Sequence, residues 1–89
     1  MNVELDPDFV RQLKKLDVKI RKSFKERIIK FSKNPQDPQL NNHRLGKEWH
    51  GYRSIDITGD WRAIFPAIKF GEETAAYFVT IGTQKELYK

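Results

Sequence analysis

Apolar residues in the first part of the chain predict a short strand and then a helix. Residues 1–5 alternate apolar and polar side chains, a pattern typical of a strand. Phe9, Leu13 and Leu16 follow at spacings of four and three residues, which places them on one face of a helix that ends near Asp17.

A second helix follows, and both helices have recognisable start signals. Asp6 can cap the first helix, Pro7 suits a position whose N–H needs no partner, and Asp17 can cap the second helix. The apolar face of the second helix comprises Ile20, Phe24, Ile28 and Phe31. Two prolines within residues 34–38 end this helix. We expect the two helices to form an antiparallel hairpin that covers a sheet.

The second half of the chain predicts an antiparallel meander. A loop carrying His43 and Arg44 leads to predicted strands over residues 49–57, 61–68 and 75–81, with turns at 58–60 and 71–73. The tail from Thr83 onward has room for one docked helical turn. The predicted fold class is therefore α+β: an N-terminal strand, a two-helix hairpin and a β-meander, with the helices on one face of the sheet.

Alternation along the strands separates two sets of side chains. In the first strand of the meander, Trp49, Gly51, Arg53, Ile55 and Ile57 lie on one side, and His50, Tyr52, Ser54 and Asp56 on the other. The next strand separates Trp61, Ala63 and Phe65 from Arg62 and Ile64. In neither strand is one side entirely apolar. Alternation therefore leaves open which polar residues share the sheet face that the helices do not cover.

Composition restricts the class of protein. A chain of 89 residues predicts a single domain over 1–89, and 38% apolar residues suffice for a small core. The absence of Cys excludes disulfide scaffolds, thiolate metal sites and cysteine nucleophiles. No apolar run is long enough to span a membrane, and the N-terminal residues lack a signal-peptide pattern. We expect a cytoplasmic protein without membrane association.

Charge is concentrated in the helices. The chain has a net charge of +5, but residues 11–33 contain ten basic and two acidic side chains, a local net charge of +8. A concentrated positive field suits the binding of a polyanion, because each neutralised phosphate releases counterions. A solvated basic helix face is the alternative.

The remaining chemistry is acid–base and cationic. The sequence has no Gly-rich phosphate loop, no metal-ligand spacing and no Gly-x-Ser-x-Gly motif, so we expect no cofactor or metal. Metal-free RNA cleavage needs a base for the ribose 2′-hydroxyl, cations for the phosphorane and an acid for the leaving oxygen. Suitable side chains are His43, His50, Asp56, Asp60, Arg53, Arg62, Lys47, Tyr52 and Tyr88.

Each of these residue types also has a structural interpretation. The histidines can be ordinary surface side chains, and Arg53 and Arg62 can pair with Asp56 or Asp60. Trp49 and Trp61 suit a core better than a base-stacking platform, although an exposed indole can stack on RNA.

Four segments taken together resemble the RelE/ParE superfamily of bacterial toxins, most closely its YafQ-like mRNA interferases. These segments are Asn42-His43-Arg44-Leu45, residues 49–55 (Trp-His-Gly-Tyr-Arg-Ser-Ile), residues 59–64 (Gly-Asp-Trp-Arg-Ala-Ile) and residues 81–88 (Ile-Gly-Thr-Gln-Lys-Glu-Leu-Tyr). The resemblance implies a ribosome-dependent endoribonuclease that cleaves mRNA and is neutralised by a small antitoxin. It also implies that the complex binds operator DNA mainly through the antitoxin.

The resemblance assigns roles to individual residues. His43 matches the histidine of the loop before the Gly-Tyr-Arg strand, and Arg53 is the arginine of that motif. Asp60 matches the acid of an Asp-Trp pair, Arg62 a phosphate-contacting arginine, and Tyr88 an aromatic residue near the C-terminus. Further residues expected near the substrate are Lys47, Trp61, Gln84 and Asp56.

Two positions depart from the YafQ-like pattern. Gln84 and Asp56 stand where those relatives have histidines, and an amide cannot exchange a proton near neutral pH. Three interpretations remain. His43 with Asp56 or Tyr88 transfers the protons, or the positively charged residues supply most of the catalysis, or the chain is inactive. Two alternatives to mRNA cleavage follow: a ParE-like DNA gyrase poison, and a degenerate toxin that acts only as an antitoxin partner.

Overall fold

The computed structural model describes residues 1–88, with Phe70 described by its backbone only. Three helices and seven short strands make up these residues. In chain order they are β1 (Asn2–Leu5), α1 (Pro7–Lys14), α2 (Val18–Lys33), β2 (His43–Arg44), β3 (Arg53–Asp56), β4 (Trp61–Phe65), β5 (Ala67–Phe70), β6 (Glu73–Phe78), β7 (Thr80–Thr83) and α3 (Gln84–Leu87). Short 3₁₀ helices cover Pro38–Leu40 and Lys47–Trp49.

The predicted helix starts are confirmed. The Asp6 carboxylate accepts a hydrogen bond from the Asp8 N–H at 2.8 Å, and Asp17 accepts one from the Lys19 N–H at 2.7 Å. Each bond satisfies one of the N–H groups that a helix leaves unpaired in its first turn. The one-turn helix α3 in the tail is confirmed too, and it starts with a capping box built by Thr83 and Glu86.

The strands form two sheets, in the orders β1-β6-β5 and β2-β3-β4-β7. β1 pairs with β6 in parallel, and the other pairs are antiparallel. The chain passes from one sheet to the other at a bulge, where Phe65 and Pro66 lie opposite the three residues 77–79. Backbone hydrogen bonds from Tyr77 N–H to Pro66 O and from Val79 N–H to Ile64 O join the sheets across this bulge.

Four predicted element boundaries were wrong. The strand predicted over 75–81 is divided at Val79 into β6 and β7, which belong to different sheets. Pro66 divides the strand predicted over 61–68, because proline has no N–H to donate to a ladder. The strand predicted from Trp49 begins at Arg53, since Trp49 ends a 3₁₀ helix and Gly51 has a φ of +92°. His43 and Arg44, predicted in a loop, form β2 and pair with Ser54 and Arg53.

Helices and sheets meet in an aromatic core, as the α+β prediction requires. Five fully or almost fully buried phenylalanines form it: Phe9, Phe24, Phe31, Phe65 and Phe78. Their ring centroids lie 4.9–6.0 Å apart in tilted or edge-to-face pairs, a favourable geometry for aromatic rings. None of the helices within residues 1–88 is long and apolar enough to cross a membrane.

Candidate active site

A row of polar side chains lies on the face of the four-stranded sheet that points away from the aromatic core. The register pairs His43 with Ser54 and Asp56 with Arg62, and directly paired residues share a face. The alternating residues Ile55, Ala63 and Ile81 belong to the core on the other face. We call His43, Ser54, Asp56 and Arg62 the polar row.

His43 is held in one tautomer. Its Nδ1 lies 2.8 Å from the carbonyl oxygen of Asn41, and its Nε2 lies 3.4 Å from the hydroxyl of Ser54. A carbonyl only accepts hydrogen bonds, so the neutral ring carries its proton on Nδ1 and Nε2 keeps a lone pair. The His43 side chain is exposed while Ser54 is fully buried. The structure therefore combines an exposed imidazole with an Nε2 that faces the buried hydroxyl of Ser54.

Arg62 is anchored by all three of its side-chain nitrogens. Nε lies 2.9 Å from Oδ1 of Asp56, and the side chains are 13% and 25% exposed. One terminal nitrogen donates to the carbonyls of Thr58 and Trp61 at 2.8 and 3.0 Å, and the other donates to Gly59 at 3.2 Å. Arg62 thus fixes both Asp56 and the turn between β3 and β4.

Asn41 links the two halves of the polar row. Its backbone is in the left-handed region, with a φ of 50°, which asparagine tolerates better than most residues. In this conformation its carbonyl accepts from His43, and its side-chain amide lies 3.5 Å from Oδ2 of Asp56. The base and the carboxylate are therefore tied to one short loop.

Asp60 and Gln84 lie beside each other at the end of β4. Both side chains are exposed, and the N–H of Gln84 donates to the carbonyl of Asp60 at 2.9 Å. α3 then packs over the sheet at Gly82, the partner of Arg62, where a Cβ would lie 3.2 Å from Leu87. Glycine at this position allows the helix to approach, so the tail lies on the same face as the polar row.

Tyr88 and Lys47 line a separate cavity on that side. The cavity of about 230 Å³ lies between the 3₁₀ helix at Lys47–Trp49 and the end of α3. The indole N–H of Trp49 donates to the carbonyl of Leu87 at 3.1 Å and joins the two segments. Within residues 1–88, the buried hydroxyl of Tyr88 has no hydrogen-bond partner.

Arg53 and Trp61 lie on the opposite face. Arg53 is paired with Phe65 and donates from Nε to the side-chain oxygen of Asn42 at 2.7 Å. Trp61 is partly buried against the core. Of the nine sequence-predicted site residues, the structure brings His43, Asp56 and Arg62 together and places Arg53 on the reverse side of the sheet.

Asn41 and Ser54 were not predicted as site residues from the sequence. Alternation does place Ser54 and Asp56 on the same side, but it gives no sign that His43 lies opposite Ser54. The role of Asn41 depends on a single left-handed residue, for which the only sequence signal is the residue type itself. In the part of the chain that the structure describes, no group of three or more histidines and carboxylates is arranged to hold a metal ion.

Solved structures of similar fold are bacterial toxins. YafQ from E. coli strain BL21(DE3) has a TM-score of 0.74 and 22% identity, covering 99% of this chain and 98% of that one. The YoeB/ParE toxin from Agrobacterium tumefaciens has a TM-score of 0.72 and 15% identity, covering 94% and 99%. The E. coli DinJ-YafQ toxin-antitoxin complex matches with a TM-score of 0.61 and 19% identity, covering 99% and 97%. At these identities the similarity shows the fold.

Sequence comparison establishes the family. No curated protein matches the chain significantly. Residues 3–88, however, match the family described as the ParE toxin of the type II toxin-antitoxin system parDE. Because this match spans nearly the whole chain and agrees with the fold, the chain belongs to the ParE toxin family of type II toxin-antitoxin systems, within the RelE/ParE superfamily.

Proposed function

We propose that this toxin is a ribosome-dependent endoribonuclease that cleaves mRNA without a metal ion, acting in the cytoplasm as one domain over residues 1–89. The observation that carries the proposal is His43, an exposed imidazole whose Nδ1 is bound to the Asn41 carbonyl and which lies on the same sheet face as the pair of Asp56 and Arg62. The resemblance to YafQ-like mRNA interferases supplies the reaction type.

In the proposed reaction, Nε2 of His43 removes the proton of a ribose 2′-hydroxyl. The 2′-oxygen attacks the adjacent phosphorus, the bond from phosphorus to the 5′-oxygen breaks, and a 2′,3′-cyclic phosphate and a 5′-hydroxyl result. The hydrogen bond from Nδ1 to the Asn41 carbonyl stabilises the imidazolium that forms. The anchored carboxylate of Asp56 lies on the same face and adds a favourable electrostatic interaction with that cation.

The leaving 5′-oxygen needs a proton, and Tyr88 is our candidate for the acid. Gln84 cannot exchange a proton, whereas Tyr88 lines a cavity on the same side of the sheet, together with Lys47. Lys47 contributes positive charge for the phosphorane. Arg62 acts as a positioning residue, because its N–H groups already donate to carbonyls of the turn that carries Asp60. The ribosome itself helps to orient the 2′-hydroxyl.

The partners follow from the family and from charge. The related YafQ is found in a toxin-antitoxin complex with DinJ, and we propose that a small antitoxin neutralises this toxin and carries operator-DNA binding for the pair. The exposed basic residues of α2 are proposed to contact ribosomal RNA. Association through them is electrostatic and separate from the chemistry at the polar row.

A second candidate function is inhibition of DNA gyrase. It is favoured by the family match, which names the ParE toxin. A third is a degenerate toxin that survives only as an antitoxin partner, and Gln84 in place of a histidine favours it.

Expression of the chain without its antitoxin separates the three candidates. Mapping mRNA 5′ ends together with DNA breaks and supercoiling gives codon-positioned cuts if the toxin cleaves mRNA on the ribosome. DNA breaks or a loss of supercoiling without mRNA cuts would identify a gyrase poison. Normal growth with neither signal would identify the degenerate toxin.

A further inference from the structure

The edge strand β2 presents an arginine on the face opposite His43. His43 and Arg44 are consecutive, so their side chains leave the strand on opposite faces. The register places Arg44 directly opposite Arg53 on β3. Side chains paired in this way have Cβ atoms about 4.5–5.5 Å apart, and two like charges at that distance destabilise the sheet unless an anion compensates them.

Neither arginine is compensated within residues 1–88. The ion pairs there join Arg11 to Asp8 and Arg62 to Asp56. Arg53 is half-buried and donates from Nε to Asn42, which fixes the guanidinium plane and leaves both terminal nitrogens available. Arg44 is exposed and forms no hydrogen bond in this part of the chain through its side chain.

A cavity is lined by both arginines and by the loop that precedes β3. Its volume is about 240 Å³, and it is lined by Arg44, Leu45, His50, Gly51, Tyr52 and Arg53. Water occupies ~30 Å³ per molecule in the liquid, so the cavity can hold a tetrahedral anion with part of its hydration shell. Two arginines that line one cavity supply guanidinium groups, whose forked donors match phosphate oxygens.

We propose that Arg44 and Arg53 form a binding site for a backbone phosphate of RNA. β2 is the first strand in its sheet order and no strand of the described chain lies beyond it, so RNA can pass over this edge. When an RNA chain places one phosphodiester at His43, a neighbouring phosphate of the same RNA can reach Arg44 and Arg53. The identification of that RNA as the cleaved mRNA rests on the proposed function, whereas the phosphate site itself does not.

Two probes test the site. Inorganic phosphate is titrated into arginine-labelled toxin and the side-chain Nε resonances are followed by NMR. A 2′-O-methyl RNA oligonucleotide, which lacks the attacking hydroxyl, is titrated over a series of salt concentrations. We expect phosphate to shift the resonances of Arg44 and Arg53 and to leave that of Arg11 on α1 unchanged.

Matched variants separate the site from general charge. Arg44→Gln and Arg53→Gln are each expected to weaken oligonucleotide binding about 10-fold and to lower the salt slope by about 0.7. Arg11→Gln removes the same charge from an exposed position on α1, outside the proposed RNA contacts of α2, and is expected to weaken binding less than twofold. Arg53→Lys keeps the charge without the fork, and unfolding curves confirm that each variant is folded.

The outcomes distinguish this site from the proposed function. The site would be overturned if both Arg44→Gln and Arg53→Gln bound the oligonucleotide as tightly as the parent, or if Arg11→Gln lost as much binding as they do. The phosphate site would also be overturned if an acidic peptide bound through the two arginines while RNA binding did not depend on them. That result would indicate that the cavity binds a protein instead. If the parent cuts no mRNA while arginine-dependent phosphate and oligonucleotide binding persists, the proposed function fails and the phosphate site stands.

Discussion

The outer surface of α2 and the polar row hold their charged groups in opposite ways. Five exposed basic residues on α2 have no ion pair within residues 1–88: Lys19, Arg21, Lys22, Lys25 and Lys33. In the row, Arg62 alone contacts one carboxylate and three carbonyls. Mobile charges attract a polyanion from a distance and are screened by salt, while fixed groups can place one nitrogen against one proton. Under the proposed function, this difference predicts that the helix supplies affinity and the sheet supplies the chemistry.

The largest expected effect tests the chemical side of this comparison. His43→Gln keeps a polar side chain but removes the basic nitrogen, so we expect mRNA cleavage on purified ribosomes to fall by about 10²–10⁴-fold. Binding to the ribosome should stay within about twofold, because α2 is unchanged. Single-turnover cleavage and ribosome co-sedimentation measure the two quantities separately.

Lys69→Gln is a suitable control for that experiment, since Lys69 is exposed on β5 in the other sheet. It should leave cleavage unchanged. If His43→Gln cleaved mRNA at the parental rate, His43 would not be the base. If it lost ribosome binding as strongly as cleavage, affinity and chemistry would not be carried by separate regions.

The next effect concerns how firmly the row is fixed. Arg62→Met removes the ion pair with Asp56 and the bonds to the turn, and we expect the free energy of unfolding to fall by about 1–3 kcal/mol. Arg11→Met makes the same chemical change in the exposed pair with Asp8, where both side chains are at least 66% exposed, and should cost less than about 1 kcal/mol. Denaturant unfolding measures both.

A double-mutant cycle adds a second test of Arg62. If the pair with Asp56 matters, Asp56→Asn combined with Arg62→Met should cost less than the sum of the single variants. Equal losses for Arg62→Met and Arg11→Met, with no coupling in the cycle, would show that Arg62 does not anchor the row.

A smaller effect tests the helix. Lys22→Gln with Lys25→Gln should weaken ribosome association several-fold and lower its salt slope by about 0.7–0.9 for each phosphate that the helix no longer neutralises. Cleavage of bound mRNA should be unchanged, as measured at saturating ribosome concentration. A fall in the cleavage rate at saturation, with parental association, would place these lysines at the chemical site instead.

Local signals explain why the helices were predictable from sequence. Asp6 and Asp17 act on N–H groups two residues away, and apolar spacing follows the helical repeat. The start of β3 was misplaced because the conformation near Trp49 depends on distant partners. Its indole bonds to Leu87, which lies 38 residues further along the chain.

The candidate site was predictable in part. The sequence analysis named nine site residues, and the structure brings three of them together: His43, Arg62 and Asp56, the last at a position that departs from the YafQ-like pattern. Alternation alone could not show that Arg53 faces away from Arg62, because a strand's period of two sorts its own residues but does not set its register with a neighbour. Pairing of β3 with β4 supplies that register, since it places Arg53 opposite Phe65 and Asp56 opposite Arg62. The place of His43 depends on the pairing of β2 with β3, and a two-residue strand leaves almost no trace in the sequence.

The smallest effect concerns the scaffold that joins the two regions. The Tyr77 hydroxyl donates to the Asp6 carboxylate at 2.7 Å and so ties β6 to the start of α1. This hydrogen bond raises the pKa of Tyr77 above its ordinary value, with burial and the negative charges of Asp6 and Glu4 as smaller causes. A raised pKa means that the unfolded chain loses this proton at a lower pH than the folded chain does. The stabilisation is therefore complete below pH ~10 and is lost as the pH rises through the folded-state pKa.

Tyr77→Phe removes this titration. The parent should lose stability above pH ~10 more steeply than the variant, and unfolding curves at a series of pH values measure the difference. Because Tyr77 belongs neither to α2 nor to the polar row, ribosome association and cleavage at neutral pH should match the parent. Identical pH dependence in both proteins would show that the bond to Asp6 does not form in solution. Altered cleavage at neutral pH would instead show that the row depends on how the first helix is tied to the sheet.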